Sequence, residues 1–123
     1  KNGTVELARR DTKEKRVVPL EGIAQYVESL LAEIQTGMFD KAKAYQQEHI
    51  TPADSWEEFE KLLEGKGGFI AAHWDGTAET EEAIKEKTKA TIRCIPLENK
   101  QEEGKCILTG KPSNERVVFA RAY

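Results

Sequence analysis

The sequence predicts an α/β (α+β) fold, in which a small mixed sheet with flanking helices follows a β-hairpin and a long helix. Three observations carry this. Alternation at Val5 and Leu7 and the apolar residues 16–20 frame a polar turn at residues 11–15, a hairpin pattern. Ile23, Val27, Leu30, Leu31 and Ile34 then recur at helical spacing. Beyond residue 54 short apolar runs alternate with two helical patterns, as in a compact α/β unit.

Taken in order, the hairpin covers residues 4–20, with Lys13, Lys15 and Arg16 crowded at its tip and Pro19 at its end. The first helix follows. Gly37 marks a break or kink, after which Met38, Phe39, Ala42 and Tyr45 carry a second helical stretch to about His49. Residues 51–54 read as a linker. Ser55 and Glu58 form a capping box for a helix that buries Trp56, Phe59, Leu62 and Leu63 and stops at Gly65. Residues 68–74 are apolar and bounded by glycines, a buried strand. Residues 78–88 form a helix whose Glu79, Glu81 and Glu82 suit the positive end of its dipole. Residues 91–97, 106–109 and 116–122 are three further strands.

Size and composition narrow the function classes. For 13.9 kDa, about two-thirds of the unfolded surface can be buried, leaving about 6,700 Å² exposed. A net charge of −3 argues against a strong autonomous nucleic-acid binder, which usually shows a basic excess. No apolar run reaches the ~18 residues of a membrane span. Residues 1–10 hold no apolar export segment, and with two cysteines a reduced, cytoplasmic setting is expected. His49 and His73 have no nucleophile or carboxylate at motif spacing; His49 is expected exposed at a helix end and His73 half-buried. Adjacent carboxylates at Glu57 and Glu58, and at Glu81 and Glu82, point different ways on their helices. Nothing catalytic is expected.

Residues 93–123 are the most specific part. Arg93-Cys94-Ile95-Pro96 is followed by an acidic loop, then Gly104-Lys105-Cys106, then Gly110-Lys111-Pro112, then an apolar strand running to Tyr123. This order resembles the end of prolyl-tRNA synthetases of the archaeal/eukaryotic type, where it closes a small zinc-binding C-terminal domain. The resemblance extends over nearly the whole chain. Residues 1–36 resemble the last hairpin and helix of the anticodon-binding domain, and residues 37–123 the C-terminal domain.

The resemblance implies a C-terminal part of the ATP-dependent ligase that joins proline to tRNA(Pro). ATP and Mg²⁺ serve the parent's catalytic domain, and no cofactor and no catalysis are expected of this part. It implies tRNA(Pro) and the catalytic domain as partners, a homodimeric parent and no membrane. Lys15, four residues before Pro19, matches a lysine that lies at the anticodon in the family; Lys13 and Arg16 flank it. Tyr123 matches a terminal tyrosine whose carboxylate points toward the catalytic domain. The family's zinc ligands fall on Asp75, Thr80, Cys106 and Thr109. Only Cys106 keeps a thiol, and threonine is not a zinc ligand, so no metal is expected. Asp75 and the threonines are expected to hydrogen-bond across the vacated site, with Cys94 and Cys106 as small buried hydrophobes. A mixed site of His73, Asp75, Cys94 and Cys106 lacks ligand-pair spacing. Two other readings stay open: a free-standing protein–protein interaction module, whose apolar hairpin and helix need a partner, and a small RNA-binding domain.

Overall fold

The computed structural model describes residues 2–122. The chain separates into two compact units, Lys1–Tyr45 and Gln46–Tyr123. In the first, β1 (Thr4–Ala8) and β2 (Lys15–Pro19) pair antiparallel, with Val5 opposite Val18 and Ala8 opposite Lys15. Arg9 fastens this hairpin to the helix that follows. Its guanidinium donates to Asp11 at 2.8 Å and to Glu33 at 3.0 Å.

That helix, α1 (Ile23–Glu48), is continuous, so the expected break at Gly37 is not there. One glycine costs a helix only about 1 kcal/mol, and residues 40–44 after it are mostly good helix formers. Ile23, Val27, Leu30 and Ile34 do share a shielded face, but Leu31 points outward and is 61% exposed. Leu30 is the one buried residue of α1 among those described. The total exposed surface, 9394 Å², therefore exceeds the expected value.

The second unit is built on a four-stranded sheet in the order β3-β4-β8-β5. Its strands are β3 (Ile50–Pro52), β4 (Phe69–His73), β5 (Ala90–Cys94) and β8 (Arg116–Arg121). β3 runs parallel to β4, while β8 lies antiparallel to both β4 and β5. The sheet is thus mixed, as expected, but β3 takes up the first half of the expected linker. It is short, lies at the sheet's edge and ends in proline, so its sequence carries little strand signal.

Two helices cover one face. Ser55 caps α2 (Trp56–Glu64) by accepting from the Glu58 N–H at 3.2 Å. The Glu58 carboxylate accepts from the Asp54 N–H, one residue beyond the usual box partner, the N-cap N–H. Thr77 caps α3 (Ala78–Thr88), and its last turn carries Lys85 and Lys87. The core under these helices centres on Phe59, Ile70, Ile84, Val117 and Phe119, with Trp56, Leu62, Trp74 and Ile92 packed around it. Phe59 lies between two rings. Trp56 stacks on it at 5.5 Å and Phe119 meets it edge-on at 5.2 Å.

Residues 106–109 are a turn rather than the expected strand. The strands around it are only two residues long, β6 (Gly104–Lys105) and β7 (Pro112–Ser113), and they pair with each other. The turn closes on itself through Gly110 N–H to Cys106 C=O at 2.9 Å and Cys106 N–H to Lys111 C=O at 2.8 Å. Such closure uses the backbone groups a ladder would need.

Candidate functional site

The turn at residues 106–109 and the end of β4 bring Asp75, Thr80 and Thr109 together. Thr80 Oγ1 donates to Asp75 Oδ2 at 2.8 Å, and Thr109 Oγ1 donates to the same oxygen at 3.0 Å. Asp75 Oδ1 accepts from the Thr77 N–H at 3.1 Å and is 2.8 Å from Thr77 Oγ1. Thr77 Oγ1 also lies 2.9 Å from Thr80 Oγ1. A hydroxyl has one proton to give, so Thr77 serves one of these two neighbours at a time. Burial alone would raise the Asp75 pKa. The donors from Thr77, Thr80 and Thr109 outweigh it and bring the value down to about 2.

This donor set does not fit zinc. At the four positions the chain presents one carboxylate, two hydroxyls already donating to it, and the buried thiol of Cys106; a tetrahedral zinc centre calls for thiolates, imidazoles or carboxylates. Among the described residues no group of three or more His, Cys, Asp or Glu is arranged to hold a metal ion. Cys94 is exposed, contrary to expectation, because a register shift between Ile92 and Cys94 turns the end of β5 outward. His73 is 4% exposed rather than half-buried, and it faces different neighbours from Asp75, which lies beyond the strand end.

Asp75 gives a pH prediction. Its carboxyl has a lower pKa folded than unfolded, so its contribution to stability is complete above the unfolded value of about 4. That contribution is lost as pH falls through about 2. Asp75→Asn is expected to destabilise by about 1–2 kcal/mol at neutral pH. In urea titrations from pH 6 to pH 2 the gap between the two proteins is expected to close. A constant gap would mean that charge is not what the threonines recognise.

The last residue of β4 carries a second polar group. His73 Nδ1 lies 3.0 Å from Ser113 Oγ, and the Ser113 hydroxyl donates to the Glu115 C=O at 3.0 Å. The proton between His73 and Ser113 therefore belongs to the imidazole, and the serine is not activated as a nucleophile. His73 Nε2 is buried without a hydrogen-bond partner, 4.0 Å from Glu102 Oε2. A Cβ on Gly104 would sit 2.3 Å from Nε2, so glycine is required at this approach. Glu102 is held by Arg116 through Nε at 2.9 Å and Nη2 at 3.1 Å. Arg116 also donates to the Ala53 and Ala71 carbonyls, each at 3.2 Å, and to Asp54.

The sequence reading missed Arg116, Ser113 and Thr77. Thr77 could have been found, since threonine before an acid-fronted helix is an N-cap signal. The partners of Arg116 lie 14 to 63 residues away, and no local pattern announces them.

On the hairpin, the basic residues divide. Arg16 is taken up by Glu14 at 2.9 Å and reaches the Tyr26 hydroxyl at 3.4 Å. Lys15 lies in β2, not in the turn, is 72% exposed and stands 3.7 Å from Glu6. Lys13 occupies the turn with φ of 64°. His49 follows the end of α1 and is half-buried, which differs from the exposed position expected. Tyr123 lies outside the described residues.

The family described as prolyl-tRNA synthetase, C-terminal, matches residues 56–123. The whole chain is similar to the proline–tRNA ligases of Flavobacterium johnsoniae, 59% identical over 122 residues, and of Flavobacterium psychrophilum, 61% identical over 122 residues. It is likewise 61% identical over 122 residues to that of Cytophaga hutchinsonii. Each comparison covers 99% of this chain and 25% of the relative. The chain therefore spans about a quarter of the length of the curated relatives it matches.

Proposed function

Because the chain belongs to the prolyl-tRNA synthetase C-terminal family, we propose that it serves a proline–tRNA ligase by supporting tRNA(Pro) and bracing the catalytic domain, without catalysing a step itself. The observation that carries this is the extent of the similarity, 99% of the chain, so that the hairpin and α1 are included as well as the C-terminal domain. Residues 1–36 then finish an anticodon-binding domain and residues 37–123 form the C-terminal domain. The parent is an enzyme of the archaeal/eukaryotic type, a cytoplasmic homodimer that uses ATP and Mg²⁺ on its catalytic domain. Tyr123 carries the contact to that domain.

In this reading Lys15 is the anticodon contact. Its exposed ammonium, held only by a 3.7 Å ion pair with Glu6, is a point charge suited to phosphate or base acceptors, whereas the Arg16 guanidinium donates to Glu14 at 2.9 Å. Lys15→Ala in the full-length parent is expected to raise the KM for tRNA(Pro) by about tenfold, the cost of one specific contact, with the KM for proline unchanged. Equal tRNA kinetics in the two enzymes would remove Lys15 from the interface.

The positions Asp75, Thr80, Cys106 and Thr109 are a vacated zinc site in which a carboxylate–hydroxyl group replaces the metal. EDTA is therefore expected to leave the melting temperature of the chain unchanged; a clear drop would show that a bound ion holds the domain.

A second reading, a protein–protein interaction module, is favoured by the exposure of Leu31, Met38 and Phe39 on α1, at 61%, 58% and 65%. Light scattering separates the two, since a strictly monomeric chain counts against the module.

A further inference from the structure

The sheet of the second unit is electrically uneven. Where β4 ends and β8 begins, the charged groups are matched at two points: Arg116 with Glu102 and Asp54, and Asp75 with its three threonines. At the opposite end cations are left over. Among the described residues, Lys66, Lys89 and Arg121 there are in no ion pair, nor is Arg93, which sits one residue before the end of β5 and lines the same cleft as Arg121. The acids on the elements packed at this end, Glu48, Glu64 and Glu86, pair with none of them. Some of these cations have evident structural work. Lys66 donates to the Glu48 C=O at 2.9 Å. Lys89 caps α3 in a left-handed conformation, and Arg121 Nε donates to the Thr88 C=O at 3.0 Å. Arg93 has none.

Arg93 lines a cleft of about 370 Å³ with Phe69, Ala120, Arg121 and Ala122. Its size is at the small end of the range for ligand clefts, about 300–1,000 Å³. Phe69 is 43% exposed, an aromatic wall left open beside two guanidiniums. β5 is an edge strand, so nothing in the sheet closes the cleft on the side of Arg93, and an extended chain can pass through it.

We propose that this cleft is a contact site for single-stranded RNA, with a phosphate on Arg93 and Arg121 and a base against the Phe69 ring. An aromatic face beside paired cations is the arrangement that binds single strands without reading sequence. Guanidiniums meet phosphate oxygens in a fork. An acidic peptide would use the two arginines but would have little need of an exposed ring. The site shares no residue with the hairpin lysines and is tested apart from them.

The test uses the 123-residue chain in a Lys13→Ala, Lys15→Ala background, which removes the hairpin from the measurement. A short fluorescein-labelled oligouridylate is followed by anisotropy as salt is raised. Residual binding is expected to weaken with salt. Arg93→Ala is expected to lower the slope of log K against log salt by about 1. Phe69→Val, which keeps a strand-favouring side chain at an exposed position, is expected to lose about fivefold or more in affinity. Absence of salt-dependent binding in the background overturns the proposal, as does an unchanged slope in Arg93→Ala. Equal displacement by a polyglutamate peptide, with Phe69→Val binding as well as its parent, also overturns it and assigns the cleft to an acidic protein surface. If the hairpin reading alone is wrong, restoring Lys13 and Lys15 leaves the affinity where it was while the Arg93 effect persists.

Discussion

Replacing Phe59 with alanine is expected to destabilise the second unit by about 4 kcal/mol, within the ~3–5 kcal/mol range for removing a buried aromatic. The ring is completely buried and packs on both Trp56 and Phe119. Its loss removes apolar burial, leaves a cavity and deletes two ring contacts worth about 0.5–1.5 kcal/mol each beyond area. A domain of this size is stable by only ~5–15 kcal/mol, so about a quarter or more of the margin goes. With a urea m-value of about 2 kcal/mol/M, the midpoint followed by tryptophan fluorescence is expected to fall by about 2 M. A fall below ~0.5 M would mean that the helices repack over the gap and that Phe59 is not the keystone of this core. Phe119→Leu, which keeps an apolar side chain at the neighbouring position, is expected to cost less.

Arg116→Ala is expected to cost about 3 kcal/mol, the upper range for hydrogen bonds to a charged group. The guanidinium joins Ala53 and Asp54 after β3, Ala71 in β4 and Glu102 in the connection between β5 and β6. The losses are unequal. Asp54 and Glu102 have side chains 74% and 52% exposed and regain water, while the Ala71 carbonyl keeps the Ala53 N–H at 3.0 Å. What is not recovered is the tie of the Glu102 side chain to the sheet, which leaves residues 98–103 held by the Asn99 amide on the Arg116 C=O and the Glu102 N–H on the Asn114 C=O. Limited proteolysis is therefore expected to cut this segment faster in Arg116→Ala than in the parent. Arg116→Lys is expected to recover only part of the stability, because an ammonium cannot span the same fork. Unchanged cleavage would locate the anchoring of that segment in the pairing of β6 with β7 instead.

Sequence legibility followed the range of the interactions. The hairpin, α2 and α3 were readable because their signals are local: alternation about a polar turn, a serine three residues before a glutamate, acids in a first turn. β3 was not, since Ile50–Pro52 forms a strand only because β4 offers it an edge. Nor was the turn at residues 106–109, whose apolar Cys106 and Ile107 are buried by packing rather than by strand alternation. Leu31 shows the same limit on α1, since helical spacing assigns two adjacent leucines to one face while the hairpin shields only Leu30. At the candidate site, Asp75, Thr80 and Thr109 were legible through the ligand spacing that the resemblance implies. Thr77 was missed although its signal is local, and Arg116 had none to give.

The group around Asp75 has a chemical consequence. Where a zinc clasp would need thiolates, this chain has a carboxylate ringed by hydroxyls. Thiolates are open to peroxide and to competing soft metals; hydroxyls are not. With one thiol left there, buried in Cys106, the domain is expected to ride out oxidative stress and metal starvation that would unfold a thiolate-clasped counterpart.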